Sequence, residues 1–402
     1  MYWVLFAVPI ALCALFEFFL KTGKRAAWVF ALIIYFLAFA NNFYNGIDWM
    51  HYKSIFEQSF SIDAIPILLL RYEVLFVGLL HFISIFSHNY QLVVIVIALF
   101  NVISLYLSIN TWKKYNQRPI NISMFVLLLF LMFGFSLQGE QLRQSLAFAI
   151  VLPYLINIRY ISLTKVLVAV SIAALFHVSA IFLFLIVFIL KAKPTRILIG
   201  LVFLVSFIFA FIFNNLTSLI EYLIFLPDLM HRKLFTYVEL SGEVKIGLFA
   251  YLDLLFIGIL LYLYRFDVLR ERVPDYVWFG ALIFFLLHIV FYFFSPFQRL
   301  NYYLFPFVAL YASHGMTLNI FNLRYVFFVL LILYSASSFY KQVFGPYYEA
   351  DWYDPKFYLT NLTNQNNNSF IFNLKVKKCE IIHAYDPLFC PSNIRSIINL
   401  DK

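Results

Sequence analysis

The chain has 402 residues, of which 64% are hydrophobic and 12% are charged, and its formal net charge is +9. An average soluble protein has about 25% charged residues, so this composition argues against a soluble enzyme and predicts an integral membrane protein. Lysine and arginine lie mostly in short clusters between apolar segments, which is the pattern that sets orientation in a bilayer. The positive charge therefore indicates the lipid bilayer as a partner and no nucleic acid.

Apolar segments close to the length of about 20 residues that crosses a bilayer recur from the first residue to about residue 340. They predict an all-α polytopic membrane protein with about 11–13 transmembrane helices. The candidate spans, in chain order, are 1–20, 26–40, 72–86, 91–109, 121–137, 142–158, 162–176, 178–190, 197–213, 247–264, 276–294, 300–313 and 325–340. We divide the chain into a transmembrane domain, 1–343, and a polar C-terminal tail, 344–402.

The basic connectors predict how the chain is threaded through the membrane. From Lys113 onward, successive basic connectors are separated by two spans, so all of them can be cytoplasmic. Three predicted spans separate Lys21–Arg25 from Lys113, which would put these two basic connectors on opposite sides of the membrane. A re-entrant or interfacial segment within 54–86 would leave two crossings between them, so that both could be cytoplasmic. The tail then lies on the periplasmic side, where Cys379 and Cys390 can form a disulfide.

A first polar cluster follows the second span. Asp48, His51 and Tyr52 fall within one helical turn and can point to one place, which makes them candidate substrate-binding residues. The alternative is an interfacial helix start, with Asp48 satisfying backbone donors and Tyr52 in the aromatic belt.

A second cluster lies near the outer end of a later span. Glu140, Arg143 and Gln144 share one helix face by their spacing of three and four. The alternative is a local ion pair between Glu140 and Arg143 that closes a helix end. The neighbouring amides Gln138 and Gln141 favour a hydrated cavity, because an apolar helix can end in a turn without a cluster of amides.

His177 interrupts a long apolar stretch, 166–190. A histidine on an apolar helix is more often a packing residue, and Ser179 is a ready hydrogen-bond partner. Its position at the outer end of two half-length spans gives water access to it, and a neutral imidazole is a natural acceptor for a hydroxyl proton.

Arg299 lies in another turn that is predicted to face outward. It can be an arginine that snorkels to the interface. Together with Arg143 it can also bind a phosphate or diphosphate leaving group, because the guanidinium fork matches phosphate oxygens. The chain has no P-loop pattern and no cysteine and histidine spacing typical of zinc sites, so we expect chemistry without a cofactor and without a metal ion.

The order of these motifs resembles the EpsG/Wzy-type family of bacterial polysaccharide polymerases. The resemblance covers about residues 1–340 and is carried by short motifs: Gly-x-Asp-x-x-x-Tyr at 46–52, Tyr-Glu at 72–73, Arg-Gln-x-Leu-Ala at 143–147, Phe-His-x-Ser-Ala at 176–180 and Arg-x-x-Tyr-Tyr at 299–303. It adds Glu73 and Tyr303 to the candidate substrate-binding residues, and it is compatible with a GT-C-like arrangement of helices.

The resemblance implies transfer of a growing O-antigen, capsule or exopolysaccharide chain from one undecaprenyl diphosphate carrier to a hydroxyl on another lipid-linked repeat unit. The reaction would take place at the periplasmic face of the bacterial inner membrane, without a metal ion, with a flippase and a chain-length regulator as further candidate partners. His177 would be the general base, Arg143 and Arg299 would bind diphosphate, and Asp48 and Tyr52 would bind sugar hydroxyls.

Two other classes of protein stay open from the sequence. A membrane acyltransferase that modifies a glycan would also use a histidine base, but it would not change chain length. A flippase or secondary transporter would need a polar path through the bilayer, and the centres of the predicted spans are almost free of charge.

Overall fold

The structure is a computed structural model, and it describes residues 2–19, 24–43, 48–116, 120–214, 247–265, 273–291, 295–315, 323–344 and 356–357. The α-helices, numbered in chain order, are α1 (Tyr2–Phe19), α2 (Lys24–Ala40), α3 (Trp49–Gln58), α4 (Ile65–Leu69), α5 (Val74–Phe86), α6 (Tyr90–Asn116), α7 (Ile122–Leu129), α8 (Leu142–Leu155), α9 (Leu163–Ala174), α10 (Leu183–Lys191), α11 (Arg196–Asn214), α12 (Leu248–Arg265), α13 (Asp275–Phe291), α14 (Asn301–Gly315) and α15 (Leu323–Phe344). They are supplemented by 3₁₀-helices at Ile62–Ala64, Val178–Phe182 and Ser295–Leu300 and by a π-helix at Phe130–Glu140.

This helical architecture confirms the predicted all-α polytopic membrane fold. Among the described residues, four helices are long and apolar enough to cross a membrane, and seven further apolar helices have 10–17 residues. One of the four is the continuous segment Ile122–Gly139, which joins α7 to the π-helix. The predicted number of crossings stays a prediction, since part of the chain, including 215–246, lies outside the described residues.

The segment between α2 and α6 begins and ends at the same end of the helix bundle. The Gln91 amide at the start of α6 donates to the Ala40 carbonyl at the end of α2, at 2.7 Å. At the opposite ends of these two helices, the Lys113 ammonium lies 4.6 Å from the centre of the Trp28 ring. The two helices are therefore antiparallel, and the segment between them returns to the end of the bundle at which it starts, which is compatible with the predicted re-entrant or interfacial segment within 54–86.

Further basic residues lie close together between later helices. The Arg159 guanidinium donates to the Ala192 carbonyl at 2.7 Å, and the Lys191 ammonium donates to the Ile158 carbonyl at 2.7 Å. Cations are favourable beside the carbonyl groups that end a helix. The two basic connectors after α8 and α10 therefore lie side by side, as the positive-inside pattern predicts.

The tail is described only at Lys356–Phe357, which pairs as a two-residue antiparallel strand, β2, with Asn42–Phe43, β1. Because β1 follows the end of α2, this pairing lies at the end of the bundle away from Lys113. Cys379 and Cys390 lie outside the described residues. The disulfide and the division at residue 344 stay predictions.

A carboxylate from α1 anchors the start of α7. Glu17 is buried and accepts hydrogen bonds from the backbone N–H groups of Ile122 and Ser123, at 2.9 and 2.7 Å, and from the Ser123 hydroxyl at 2.7 Å. These N–H groups have no partner within the helix, and the helix dipole favours a negative charge there. Glu17 therefore supplies from another helix the cap that α7 requires in an apolar environment.

Replacing Glu17 by leucine should lower the free energy of unfolding by about 1–3 kcal/mol, because buried backbone donors lose their acceptors. Thermal unfolding of the purified protein in lipid–detergent micelles measures this loss. Phe16→Leu, at an exposed neighbouring position on α1, is the matched control and should unfold like the parent. Equal stability of Glu17→Leu and the parent would contradict the capping role.

Candidate functional site

Glu73 joins two polar residues that are distant in sequence. Its Oε2 accepts a hydrogen bond from Arg143 Nη1 at 2.8 Å, and its Oε1 accepts from His177 Nδ1 at 3.3 Å. The same Oε1 also accepts from the Val178 backbone N–H at 3.3 Å. One carboxylate thus holds an arginine 70 residues away and a histidine 104 residues away, and we refer to Glu73, Arg143 and His177 as the ionic cluster.

Breaks in the helices place the three side chains. Glu73 is the extended residue that precedes α5, and the Leu75 N–H donates to the Leu175 carbonyl at 3.1 Å, which docks the start of α5 against the end of α9. His177 is also extended, between α9 and the 3₁₀-helix that follows. Arg143 lies in the first turn of α8, directly after the π-helix ends. Such π-helical segments occur frequently at functional sites.

The electrostatics of the cluster favour an ionised glutamate and a neutral histidine. The Glu73 carboxylate accepts hydrogen bonds from the Arg143 guanidinium and from His177 Nδ1, and both favour its ionised form. Burial lowers the pKa of the His177 imidazole, and the hydrogen bond to Glu73 only partly opposes this effect. A neutral imidazole that donates through Nδ1 carries its lone pair on Nε2, so Nε2 is the atom that can accept a proton.

Two tyrosine rings flank the Arg143 guanidinium. Its central carbon lies 5.9 Å from the centre of the Tyr52 ring and 5.6 Å from that of Tyr72. The Tyr72 hydroxyl in turn lies 2.9 Å from His51 Nε2. The segment between α2 and α6 therefore contributes two predicted site residues, His51 and Tyr52, directly beside the ionic cluster.

Asp48 immediately precedes α3, but its side chain makes no capping hydrogen bond. The structure therefore does not support the alternative interpretation, in which the Asp48 side chain caps the helix. The Glu140 side chain lies outside the described residues, so its role stays a prediction. The described ionic partner of Arg143 is Glu73, which is more distant in sequence than Glu140.

The remaining predicted residues border the cluster from α8, from the 3₁₀-helix Ser295–Leu300 and from α14. The Gln144 amide donates to the backbone carbonyl of Arg299 at 2.6 Å, and the Arg299 side chain is exposed. The 3₁₀-helix that follows His177 packs against the 3₁₀-helix that carries Arg299. The buried Tyr303 hydroxyl lies 3.5 Å from the Ser179 hydroxyl, two residues after His177.

Sequence reasoning missed a second polar group, between α12, α13 and α15. His288 Nδ1 lies 2.7 Å from Asp253 Oδ2, and the Tyr334 hydroxyl donates to Asp253 Oδ1 at 2.9 Å. Asp253 is completely buried. In the sequence, Asp253 and His288 are an isolated acid and an isolated histidine within two predicted spans. Their position in apolar segments was the only signal of a polar site.

The described residues contain no group of three or more histidine, cysteine, aspartate or glutamate side chains that could hold a metal ion. A reaction without a metal and without a cofactor stays an expectation from the sequence.

Fold and site together define a multi-pass helical membrane protein with an arginine, histidine and glutamate cluster where several of its helices begin or end. Residues 27–354 match the model of the EpsG family, and the chain belongs to this family. Family membership indicates a polysaccharide polymerase-type role. No curated protein and no solved structure shows significant similarity to the chain.

Because His177 is held neutral, its titration should destabilise the protein in mild acid. Below its ordinary pKa of 6.5, the unfolded chain binds a proton that the folded His177 still rejects. The free energy of unfolding should therefore fall as the pH falls from about 7 to about 5, and thermal unfolding across this range measures the loss. In His177→Gln the pH dependence should be weaker, and an unchanged slope would contradict a neutral, buried His177.

Proposed function

We propose that the protein polymerises undecaprenyl-diphosphate-linked oligosaccharide repeat units into O-antigen, capsule or exopolysaccharide. The observation that carries this proposal is the ionic cluster, in which Glu73 orients a neutral histidine beside two arginines. This set can accept a hydroxyl proton and stabilise a departing diphosphate. Membership of the EpsG family supports the same class of reaction.

In the proposed reaction, the acceptor is a hydroxyl group on the sugar of one lipid-linked repeat. The hydroxyl oxygen attacks the anomeric carbon of the glycan held on a second carrier, and a new glycosidic C–O bond forms. The bond from the anomeric carbon to the phosphate oxygen breaks, and its electron pair leaves with undecaprenyl diphosphate. The hydroxyl proton passes to His177 Nε2, as general-base catalysis requires.

The two arginines have different surroundings. Arg143 is paired with Glu73 and flanked by tyrosines, so we assign it to orienting the site and binding one phosphate edge. The Arg299 side chain is exposed, which suits it to meet the diphosphate as charge develops on the leaving oxygen. Glu73 acts through its neighbours and is a positioning residue.

We propose that Asp48, His51, Tyr52, Gln144 and Tyr303 bind sugar hydroxyls around this centre. Lipid-linked repeats serve as both donor and acceptor, and the apolar outer surface of the helices accommodates the polyprenyl tails. The site faces the periplasm in the inner membrane, because the basic connectors are predicted to be cytoplasmic. A flippase would deliver the repeats, and a chain-length regulator is a further proposed partner.

His177→Gln should abolish chain growth, with a loss of about 10²–10⁴-fold in rate, because glutamine keeps much of the size of the side chain but cannot take up the proton. The measurement is the length distribution of lipid-linked glycan in cells that lack the chromosomal gene and carry each variant.

His88→Gln is the matched control, since His88 lies between α5 and α6 and outside the ionic cluster. It should give the parental distribution at equal protein level in the membrane. Long glycan in His177→Gln cells would show that His177 is not the general base. Acyl transfer without any change in glycan length would overturn the proposed function as a whole.

Arg143→Lys and Arg299→Lys should both lose most polymerisation, since lysine keeps the charge but not the bidentate fork. Their stabilities should differ, because Arg143 is bonded to Glu73 whereas the exposed Arg299 side chain has no recorded partner among the described residues. Thermal unfolding should therefore show a loss for Arg143→Lys and none for Arg299→Lys. Parental activity of both variants would exclude a diphosphate site at these arginines.

A further inference from the structure

The helical turn that carries Arg143 also holds the backbone at Arg299. Gln144, the next residue of α8, is only 1% exposed, and its Nε2 donates to the backbone carbonyl of Arg299 at 2.6 Å. A carbonyl oxygen only accepts hydrogen bonds, so the nitrogen of the Gln144 amide is the atom that faces it. Through these two consecutive residues, α8 is bonded both to the ionic cluster and to the 3₁₀-helix Ser295–Leu300.

A second glutamine makes a similar contact three residues earlier. Gln141 Nε2 donates to the Tyr302 hydroxyl at 3.3 Å, and Tyr302 lies three residues after Arg299, in the first turn of α14. A single hydrogen bond leaves rotation about its axis free, whereas two hydrogen bonds restrain it. We refer to Gln141 and Gln144 as the glutamine pair. Together they fix the turn at Arg299 in position and in direction relative to the start of α8.

The glutamine pair restrains the backbone at Arg299 and leaves its side chain exposed. A short 3₁₀-helix has poorer hydrogen-bond geometry than an α-helix, so contacts from outside it contribute to where its residues lie. Arg143 is held differently, because its guanidinium is bonded directly to Glu73 at 2.8 Å. The start of α8 therefore sets the distance between one fixed guanidinium and the base of a second, movable side chain.

This arrangement suits a ligand that carries two adjacent anionic groups. A diphosphate can contact both guanidinium groups at once only if their separation matches the separation of its two phosphates. Binding costs less free energy when the turn that bears Arg299 is already ordered, because less conformational freedom is lost. Gln144 is suited to this task, since a neutral amide donates to the carbonyl without offsetting the positive charge of Arg299.

We infer that Gln144 is a positioning residue, which acts through Arg299 and sets it at the distance from Arg143 at which both arginines bind one diphosphate. The inference rests on the proposed function for the identity of the ligand. The sugar contact proposed above for Gln144 would use its Oε1, which is buried and has no partner among the described residues. The positioning role uses Nε2 and depends on Arg299, so the two roles can be tested separately.

A double-mutant cycle with inorganic pyrophosphate as the probe tests the inference. Gln144→Met keeps the approximate shape of the side chain and removes the donor. In the otherwise unchanged protein it should weaken pyrophosphate binding about 5- to 10-fold, because the turn at Arg299 then has to be ordered on binding. In an Arg299→Gln background the same change should alter binding less than about twofold, since the cation to be positioned is absent. Isothermal titration calorimetry of the purified protein in lipid–detergent micelles measures both effects.

Leu155→Met is the matched control, because it introduces the same side chain at a buried position at the far end of α8. It should bind pyrophosphate like the parent. Gln141→Met is a second test of the glutamine pair and should also weaken binding, again only while Arg299 is present. It takes the place of Gln144→Met if that variant does not fold.

Three results would overturn the inference. The first is the absence of pyrophosphate binding to the parent. The second is parental affinity in Gln144→Met. The third is an equal weakening of binding by Gln144→Met with and without Arg299, which would show that Gln144 acts on the fold or on the ligand directly and not through Arg299.

The length of lipid-linked glycan in cells separates this inference from the proposed function. Pyrophosphate binding that depends on Gln144 only while Arg299 is present, together with no lengthening of glycan by the parent, would uphold the positioning role and overturn the proposed function. Polymerisation by the parent, together with equal weakening of binding in both backgrounds, would overturn the positioning role alone.

Discussion

The carboxylate of Glu73 is the constraint on which the site depends. An arginine and a histidine buried among apolar helices are costly on their own, and the desolvation of a charge is repaid only by close pairing and further hydrogen bonds. Glu73 makes these contacts with Arg143 at 2.8 Å and with His177 at 3.3 Å. The same two contacts fix the start of α5 against α8 and against the turn after α9, so the electrostatic compensation also determines the local fold.

The site lies where the helices break, and the membrane environment explains why. Irregular backbone is tolerated at membrane depth only where it is buried in protein or lines a cavity. The extended residue Glu73, the end of the π-helix before Arg143 and the turn at His177 are three such breaks, and Glu73 bonds to Arg143 and His177 at the other two. Each break frees a polar side chain from a regular helix face, and together the breaks enclose a polar centre within an apolar bundle.

The class of protein and its helical architecture could be predicted from the sequence, because hydrophobic length is a local property. Arg143 and His177 could be identified because charge in an apolar segment is conspicuous. Their connection through Glu73 could not be predicted, because Glu73 lies 70 positions from Arg143 and 104 positions from His177 in the sequence. Local spacing suggested Glu140 as the partner of Arg143. Asp253 and His288 were missed for the same reason, because only the fold brings them together.

The charge balance of the site suits the proposed reaction. Glu73 offsets Arg143, and His177 is neutral, so the exposed Arg299 remains available to bind an anionic diphosphate. When His177 takes the acceptor proton, its new positive charge lies beside Glu73 and close to the diphosphate that is leaving. Both anions stabilise the imidazolium, although burial lowers its pKa before substrate binds. The basicity of His177 would therefore rise as the bond to the phosphate oxygen breaks, so that proton transfer and departure of the leaving group assist each other.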